Sequence, residues 1–301
     1  MAIRVLVTGR EGQLASSLAE RAADDADVEI IRVGRPALDL ERPETIGRTV
    51  REVLPDVVIS AAAYTGVDRA EDEPELAMRV NGEAPGILAR AARAAGAHLI
   101  HISTDYVYDG RKAQPYVESD EVDPHSTYGR SKLEGERRVC AEQPSAVIVR
   151  TAWVYSPFGR NFITTMIDLA RTRDSVRVVD ERQGSPTSAL DLADALLAII
   201  HRRRQRPGLG AGECYHCAGT GYASWCDMAR HALAASRANN GPFAEVFAIS
   251  ASEWPTKAVR PANSRLDCSK LAHDFAWRAP EWRVSVDAVV RRLVCGSGAA
   301  M

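Results

Sequence analysis

No apolar run in this chain is long enough to cross a bilayer, which argues against a membrane role. No basic block is present either: Lys and Arg number 38 against 40 for Asp and Glu, a net charge of −2. The short run Arg202-Arg203-Arg204 reads as a solvated helix end, so no nucleic-acid partner is expected. The first residues carry no leader pattern. A strand-like segment starts at once with Ile3–Val7, and the expectation is a cytoplasmic protein without a signal peptide. Cys214-Tyr215-His216-Cys217 is a CxxC, but no second pair accompanies it, so a zinc site lacks half its ligands. The six cysteines read as ordinary thiols of a reducing compartment. Internal repeats and low-complexity tracts are also missing.

What is present is length and alternation. A chain of 301 residues can bury a large core as one or two domains. Residues 3–7, 28–33, 55–60, 98–103 and 147–150 are short apolar runs, separated by helical patterns. Such runs fit strands buried on both faces of a parallel sheet. The expected fold is therefore α/β, a Rossmann-type doubly wound sheet over residues 1–155. Beyond 155 the pattern loosens into a smaller C-terminal substrate-binding lobe (156–175 and 216–301), with 176–215 returning to the first domain. Val67–Glu71 is expected to lead into a helix running through Asn81 to about Ala95, with further helices near 161–171, 189–201, 224–235 and 284–294, a turn at 183–187, and a disordered tail from Gly296.

Gly9-Arg10-Glu11-Gly12-Gln13-Leu14-Ala15 follows the first strand directly. Glycines there permit a tight turn, and the helix start that follows offers N–H groups to a pyrophosphate. An NAD-specific site often has Asp or Glu after the second strand; here Gly34 and Arg35 stand in that place. Arg35 fits a 2′-phosphate and favours NADPH, with NADH as the alternative.

Tyr128 and Lys132 lie four apart, on one face of an expected helix. A lysine cation favours the phenolate and draws the tyrosine pKa toward the working range. Thr104 closes the strand 98–103, at the sheet edge where chemistry sits in such folds. Its hydroxyl is placed to meet a substrate oxygen beside Tyr128. Further on, Arg260-Pro-Ala-Asn263-Ser-Arg265 is a polar segment whose arginines suit phosphate oxygens.

Together these stretches resemble the extended short-chain dehydrogenase/reductases, and within them the dTDP-4-dehydrorhamnose reductases. The likeness runs from residue 3 to about 294. It rests on Gly9–Leu14, Ala61–Asp68, Ser103–Tyr108, Tyr128–Lys132, Arg150–Tyr155, Gln183–Thr187 and Arg260–Leu266. The resemblance implies reduction of the C4 ketone of a nucleotide sugar. Tyr128 would protonate the C4 oxygen, Lys132 would hold the nicotinamide ribose, and Thr104 would bond the same oxygen. Asp105 would help hold the sugar and Trp153 would pack on it, with Val67, Arg260, Asn263 and Arg265 completing the substrate contacts. Gly12, Gln13 and Leu14 would face the pyrophosphate. Asp39 and Leu40 would lie near the adenine, and Ala63, Tyr64 and Thr65 would line the other half of the cofactor.

Some members of the family are dimers bridged by magnesium through helix carboxylates. The corresponding positions here are Ser17 and Leu190, which argues against magnesium and leaves a monomer or a homodimer. Related dehydratases carry an Asp-Glu pair directly after the threonine, whereas Tyr106 follows Asp105 here. A related epimerase, a reductase of another 4-keto-6-deoxy sugar nucleotide, and a non-catalytic cofactor-binding regulatory subunit are the alternatives.

Overall fold

The computed structural model describes residues 1–296; the rest of the expected tail, 297–301, lies outside them. Its central sheet has six parallel strands: β1 (Ile3–Thr8), β2 (Val28–Val33), β3 (Val57–Ser60), β4 (His98–Thr104), β5 (Val147–Thr151) and β6 (Cys214–His216). Their order is β6-β5-β4-β3-β1-β2. The chain steps from β1 to β2 on one side and then places β3 on the other. That reversal opens a crevice at the carboxyl ends of β1 and β3, the usual ligand position in such sheets.

Five helices cover the sheet: α1 (Gln13–Arg21), α2 (Pro43–Val53), α3 (Ala84–Ala94), α4 (Thr127–Glu142) and α5 (Ala189–Gln205). Successive strand residues point to opposite faces. Val5, Val7 and Ile59 therefore pack with Leu14 and Leu18 of α1 and Leu196 and Ile199 of α5. Leu6, Val58 and Leu99 pack on the other face with Ile46 of α2, Leu88 of α3 and Val139 of α4. Both faces are buried, which is why the strands read as continuous apolar runs.

A second cluster joins Tyr155, Ile163, Met228, Trp282 and Val289. It unites the helices Phe162–Ala170, Trp225–Ala238 and Trp282–Cys295. Strand Ser175–Val179 pairs in parallel with Glu245–Ile249. The latter strand is not legible in the sequence, because Phe247 is exposed and the core-facing alternation is missing.

Two segments differ from the sequence reading. The helix expected to run from Val67 through Asn81 is interrupted. It consists of Val67–Asp72, Pro74–Ala77 and a π-helical turn Met78–Glu83 that leads into α3. Pro74 disfavours helical backbone at Glu73, which stands at φ −125° and ψ 52°. The expected turn at 183–187 holds a short strand, Gln183–Gly184, between Ala223–Ser224 and Asn263–Ser264.

Candidate active site

A cleft of about 560 Å³ opens at the crevice. Gly9, Gly12, Arg35, Asp39, Leu40, Ala63 and Tyr64 line it, together with Arg10 and Arg69. Gly9 stands at φ 98°, a left-handed conformation that side chains rarely adopt. No side chain caps the start of α1 at Gly12, so the first N–H groups of the helix can accept a phosphate as partner. This floor and helix start fit a dinucleotide. The Leu14 side chain is buried in the core. Gln13 turns toward the second cluster, its Oε1 accepting from Ser156 Oγ at 2.9 Å and Asn161 Nδ2 at 3.1 Å. Arg35 lies at the rim with its side chain 75 % exposed, and its nearest carboxylate, Glu41, is 4.0 Å away. Thr65 is exposed at the end of the Ala63–Thr65 loop, while the Tyr64 hydroxyl bonds to Glu73.

Ser126 caps α4 by accepting from Gly129 N at 3.0 Å, which fixes where the Tyr128–Lys132 pair begins. A Cβ on Gly129 would come 2.2 Å from the Tyr106 carbonyl oxygen. The missing side chain lets the helix abut the turn after Thr104. Tyr128 then lies edge-on to Tyr106, with ring centroids 5.5 Å apart. The Thr104 hydroxyl donates to Asp105 Oδ1 at 3.0 Å and accepts from Tyr106 N at 3.2 Å. Lys132 is buried and donates from Nζ to the Ile102 carbonyl at 2.7 Å. Thr104, Tyr128 and Lys132 thus meet at the carboxyl end of β4.

Burial decides the electrostatics. It pushes the Tyr128 phenol well above its ordinary pKa, against the lowering effect of Thr104. Burial, not the Lys132 charge expected from the sequence, sets the direction, and the phenol stays protonated at neutral pH. Lys132 itself is pushed down to about 8 by burial, with Glu136 pulling the other way. Asp105 is pushed up to about 6 by burial, and its Oδ2 has no hydrogen-bond partner among the described residues. His101 beneath the site is held neutral by burial and by the Lys132 charge.

Asn81 was not singled out in the sequence. It is buried in the π-helical turn and bonds both backbone groups of Tyr64, at 2.8 and 3.0 Å. Its Nδ2 also reaches Ser131 Oγ at 3.1 Å, which ties the cleft loop to α4. A lone Asn inside a helical pattern gives no signal without the turn that orients it.

Trp153, at φ 47°, stacks on Trp225 with centroids 3.7 Å apart. Strain of this kind in a residue other than glycine gathers at functional sites. Arg260 donates to Asp68 at 2.6 Å, next to Val67, and reaches Tyr106. Asn263 uses both amide hydrogens on the carbonyls of Lys112 and Gln114, at 2.7 and 2.9 Å. Arg265 donates to the carbonyl of Ala113. These two side chains therefore hold the 112–114 loop. Ser17 is buried on α1, and Leu190 at the start of α5 packs in the cluster of Tyr155 and Trp282. Among the described residues, no group of three or more His, Cys, Asp or Glu side chains is placed to hold a metal ion. No helix among them is long and apolar enough to cross a membrane.

Comparison with known proteins gives the same picture over the whole chain. Residues 3–295 match the family described as RmlD substrate binding domain. The dTDP-4-dehydrorhamnose reductase of Sinorhizobium fredii is 44 % identical, with 97 % of each chain covered. That of Escherichia coli K12 is 37 % identical over 85 % of each. Among solved structures, the dTDP-4-dehydrorhamnose reductase of Bacillus anthracis, in complex with NADP, superposes with a TM-score of 0.88 at 33 % identity, covering 96 % of this chain and 99 % of that one. The reductase from Clostridium acetobutylicum gives 0.87 at 36 %, covering 97 % and 99 %. With its parallel sheet, its cleft and the Thr104–Tyr128–Lys132 group in place, this chain belongs to the dTDP-4-dehydrorhamnose reductase family.

Proposed function

We propose that this protein reduces the C4 ketone of dTDP-4-dehydro-L-rhamnose to dTDP-L-rhamnose, with NADPH preferred over NADH. The observation that carries this reading is the meeting of Thr104, Tyr128 and Lys132 beside a dinucleotide-sized cleft, in a chain of this family. The bound nicotinamide supplies the hydride that arrives at C4.

The chain's own residues handle the proton and the orientation. Tyr128 enters protonated and donates its phenolic hydrogen to the C4 oxygen as negative charge develops there. The Thr104 hydroxyl bonds the same C4 oxygen and shares the developing charge. Lys132 is cationic below about pH 8, stabilises the phenolate left behind and holds the nicotinamide ribose. Asp105 and Trp153 hold the deoxysugar, with Val67 and Arg260 toward the nucleotide end. Gly9, Gly12 and the backbone N–H of Gln13 face the pyrophosphate, Asp39 and Leu40 the adenine, and Arg35 the 2′-phosphate. The substrate lobe comprises 156–175 and, among the described residues, 216–296, with 175–184 joining it through the pairings to Glu245–Ile249, Ala223–Ser224 and Asn263–Ser264.

The test is NADPH consumption with dTDP-4-dehydro-L-rhamnose generated in place from dTDP-glucose, with dTDP-rhamnose identified as the product. No turnover with either reduced cofactor would sink the reading.

A further inference from the structure

A buried charged junction lies behind the three reacting side chains. Arg150 of β5 is 6 % exposed and stands in register with Ser103, next to Thr104. Its Nε and Nη2 donate to the two carboxylate oxygens of Glu136, at 2.9 and 2.7 Å. Its Nη1 donates to the Tyr108 hydroxyl at 2.7 Å. Tyr108 passes its own hydrogen to His216 Nε2 at 2.7 Å, and His216 Nδ1 donates to the Asp267 carbonyl at 3.1 Å. Burial and the neighbouring Arg150 push His216 down to about 3, so it is neutral and can accept from Tyr108.

The three partners of this junction come from three separate segments. Glu136 lies on α4, one helical turn beyond Lys132. Tyr108 follows the 3-10 turn Asp105–Val107, the segment that Thr104 opens. His216 closes β6. A buried ion pair is weak support for stability, because well-packed apolar side chains of the same volume often serve as well. What a forked guanidinium does that an apolar side chain does not is fix direction and spacing. Arg150 forms no hydrogen bond to Thr104, Tyr128 or Lys132 among the described residues.

We propose that Arg150 is a positioning residue for the reduction. One guanidinium holds α4 through Glu136 and the Thr104–Tyr108 turn through Tyr108, and so sets the spacing between the Thr104 hydroxyl and the Tyr128–Lys132 pair. This rests on the reductase reading. Misplacement of reacting groups by an ångström costs on the order of 10²-fold in rate, so a small slip at the junction is amplified at the site.

Three variants test it. Tyr108→Phe removes one arm and keeps the ion pair. Arg150→Lys keeps the charge and loses the fork. The double change Arg150→Met with Glu136→Gln removes both charges, so neither is left buried alone. Steady-state kinetics are read beside the methyl NMR signal of Thr104 in protein shown to be folded. Expected is a fall in kcat of roughly 10-fold or more for Arg150→Lys and the double variant, and a smaller fall for Tyr108→Phe. The KM for the nucleotide sugar should stay within about 3-fold, since the sugar's own contacts are kept. The Thr104 methyl signal should move in all three. If kcat stays within about 3-fold of the parent and the signal does not move, the positioning role is overturned while the reductase reading stands. If the parent protein is inert but the signal still moves, the reductase reading fails and the junction's hold on Thr104 stands.

Discussion

A Cβ on Gly184 would sit 2.3 Å from Cε2 of Trp153, so the indole lies directly on the glycine backbone. Trp153 is held there from its other side by Trp225. An added methyl has no room and must displace the indole. Gly184→Ala should therefore raise the KM for the nucleotide sugar by roughly 10-fold, in line with overpacking costs of about 1–3 kcal/mol. NADPH affinity should be unchanged, because Gly184 does not line the cofactor cleft. Parallel titrations of sugar nucleotide and cofactor check both halves.

The Gln183–Thr187 segment shows what the sequence could and could not tell. Its family resemblance was legible, but its reason was not, since the contact with Trp153 spans thirty-one positions and arises only on folding. The βα alternation, the Gly9–Gly12 turn and the Tyr128–Lys132 spacing were legible because each follows from local geometry. Asn81 was not, because its role depends on a π-helical turn and on Ser131 arriving from α4. The Tyr128 pKa was misjudged for the same reason: a charge four residues away is visible in sequence, while desolvation is a property of the folded site.

Asp105 gives stability a pH signature. Its folded pKa of about 6 lies above the ordinary 3.8. The folded state therefore holds the proton more tightly, and stability contributed by this group falls as pH rises from about 4 through 6. The loss amounts to roughly 2–3 kcal/mol at neutral pH. Asp105→Asn should remove this slope, so the melting temperature of the parent drops relative to the variant between pH 4 and 7. The variant should also bind the sugar nucleotide less well. A difference that does not change with pH would contradict the assignment.

Lys132 sets an alkaline limb. With its pKa pushed down to about 8, the ammonium is lost as pH rises through that value. Turnover should then fall by about tenfold per pH unit at higher pH. Glu136 favours the charged lysine, so Glu136→Gln should move the limb to lower pH. A pH profile of kcat for both proteins reads the shift directly.

Arg35 stands at the rim of the cleft with no carboxylate closer than 4.0 Å among the described residues. Arg35→Ala should cut kcat/KM with NADPH by roughly 10-fold and change it little with NADH, as expected for a lost charge-assisted phosphate bond of about 1.5–3 kcal/mol. Equal losses with both cofactors would place Arg35 away from the 2′-phosphate.

The most direct measurement is the rate of NADPH absorbance loss with dTDP-4-dehydro-L-rhamnose, for the parent protein and for Tyr128→Phe. The phenol hydroxyl is the proposed proton donor, and proton transfer of this kind contributes about 10²–10⁴ in rate. The parent should turn over and form dTDP-rhamnose, and the variant, still folded and still binding NADPH, should lose at least two orders of magnitude. A folded Tyr128→Phe protein that reduces the sugar at the parental rate would contradict the mechanism.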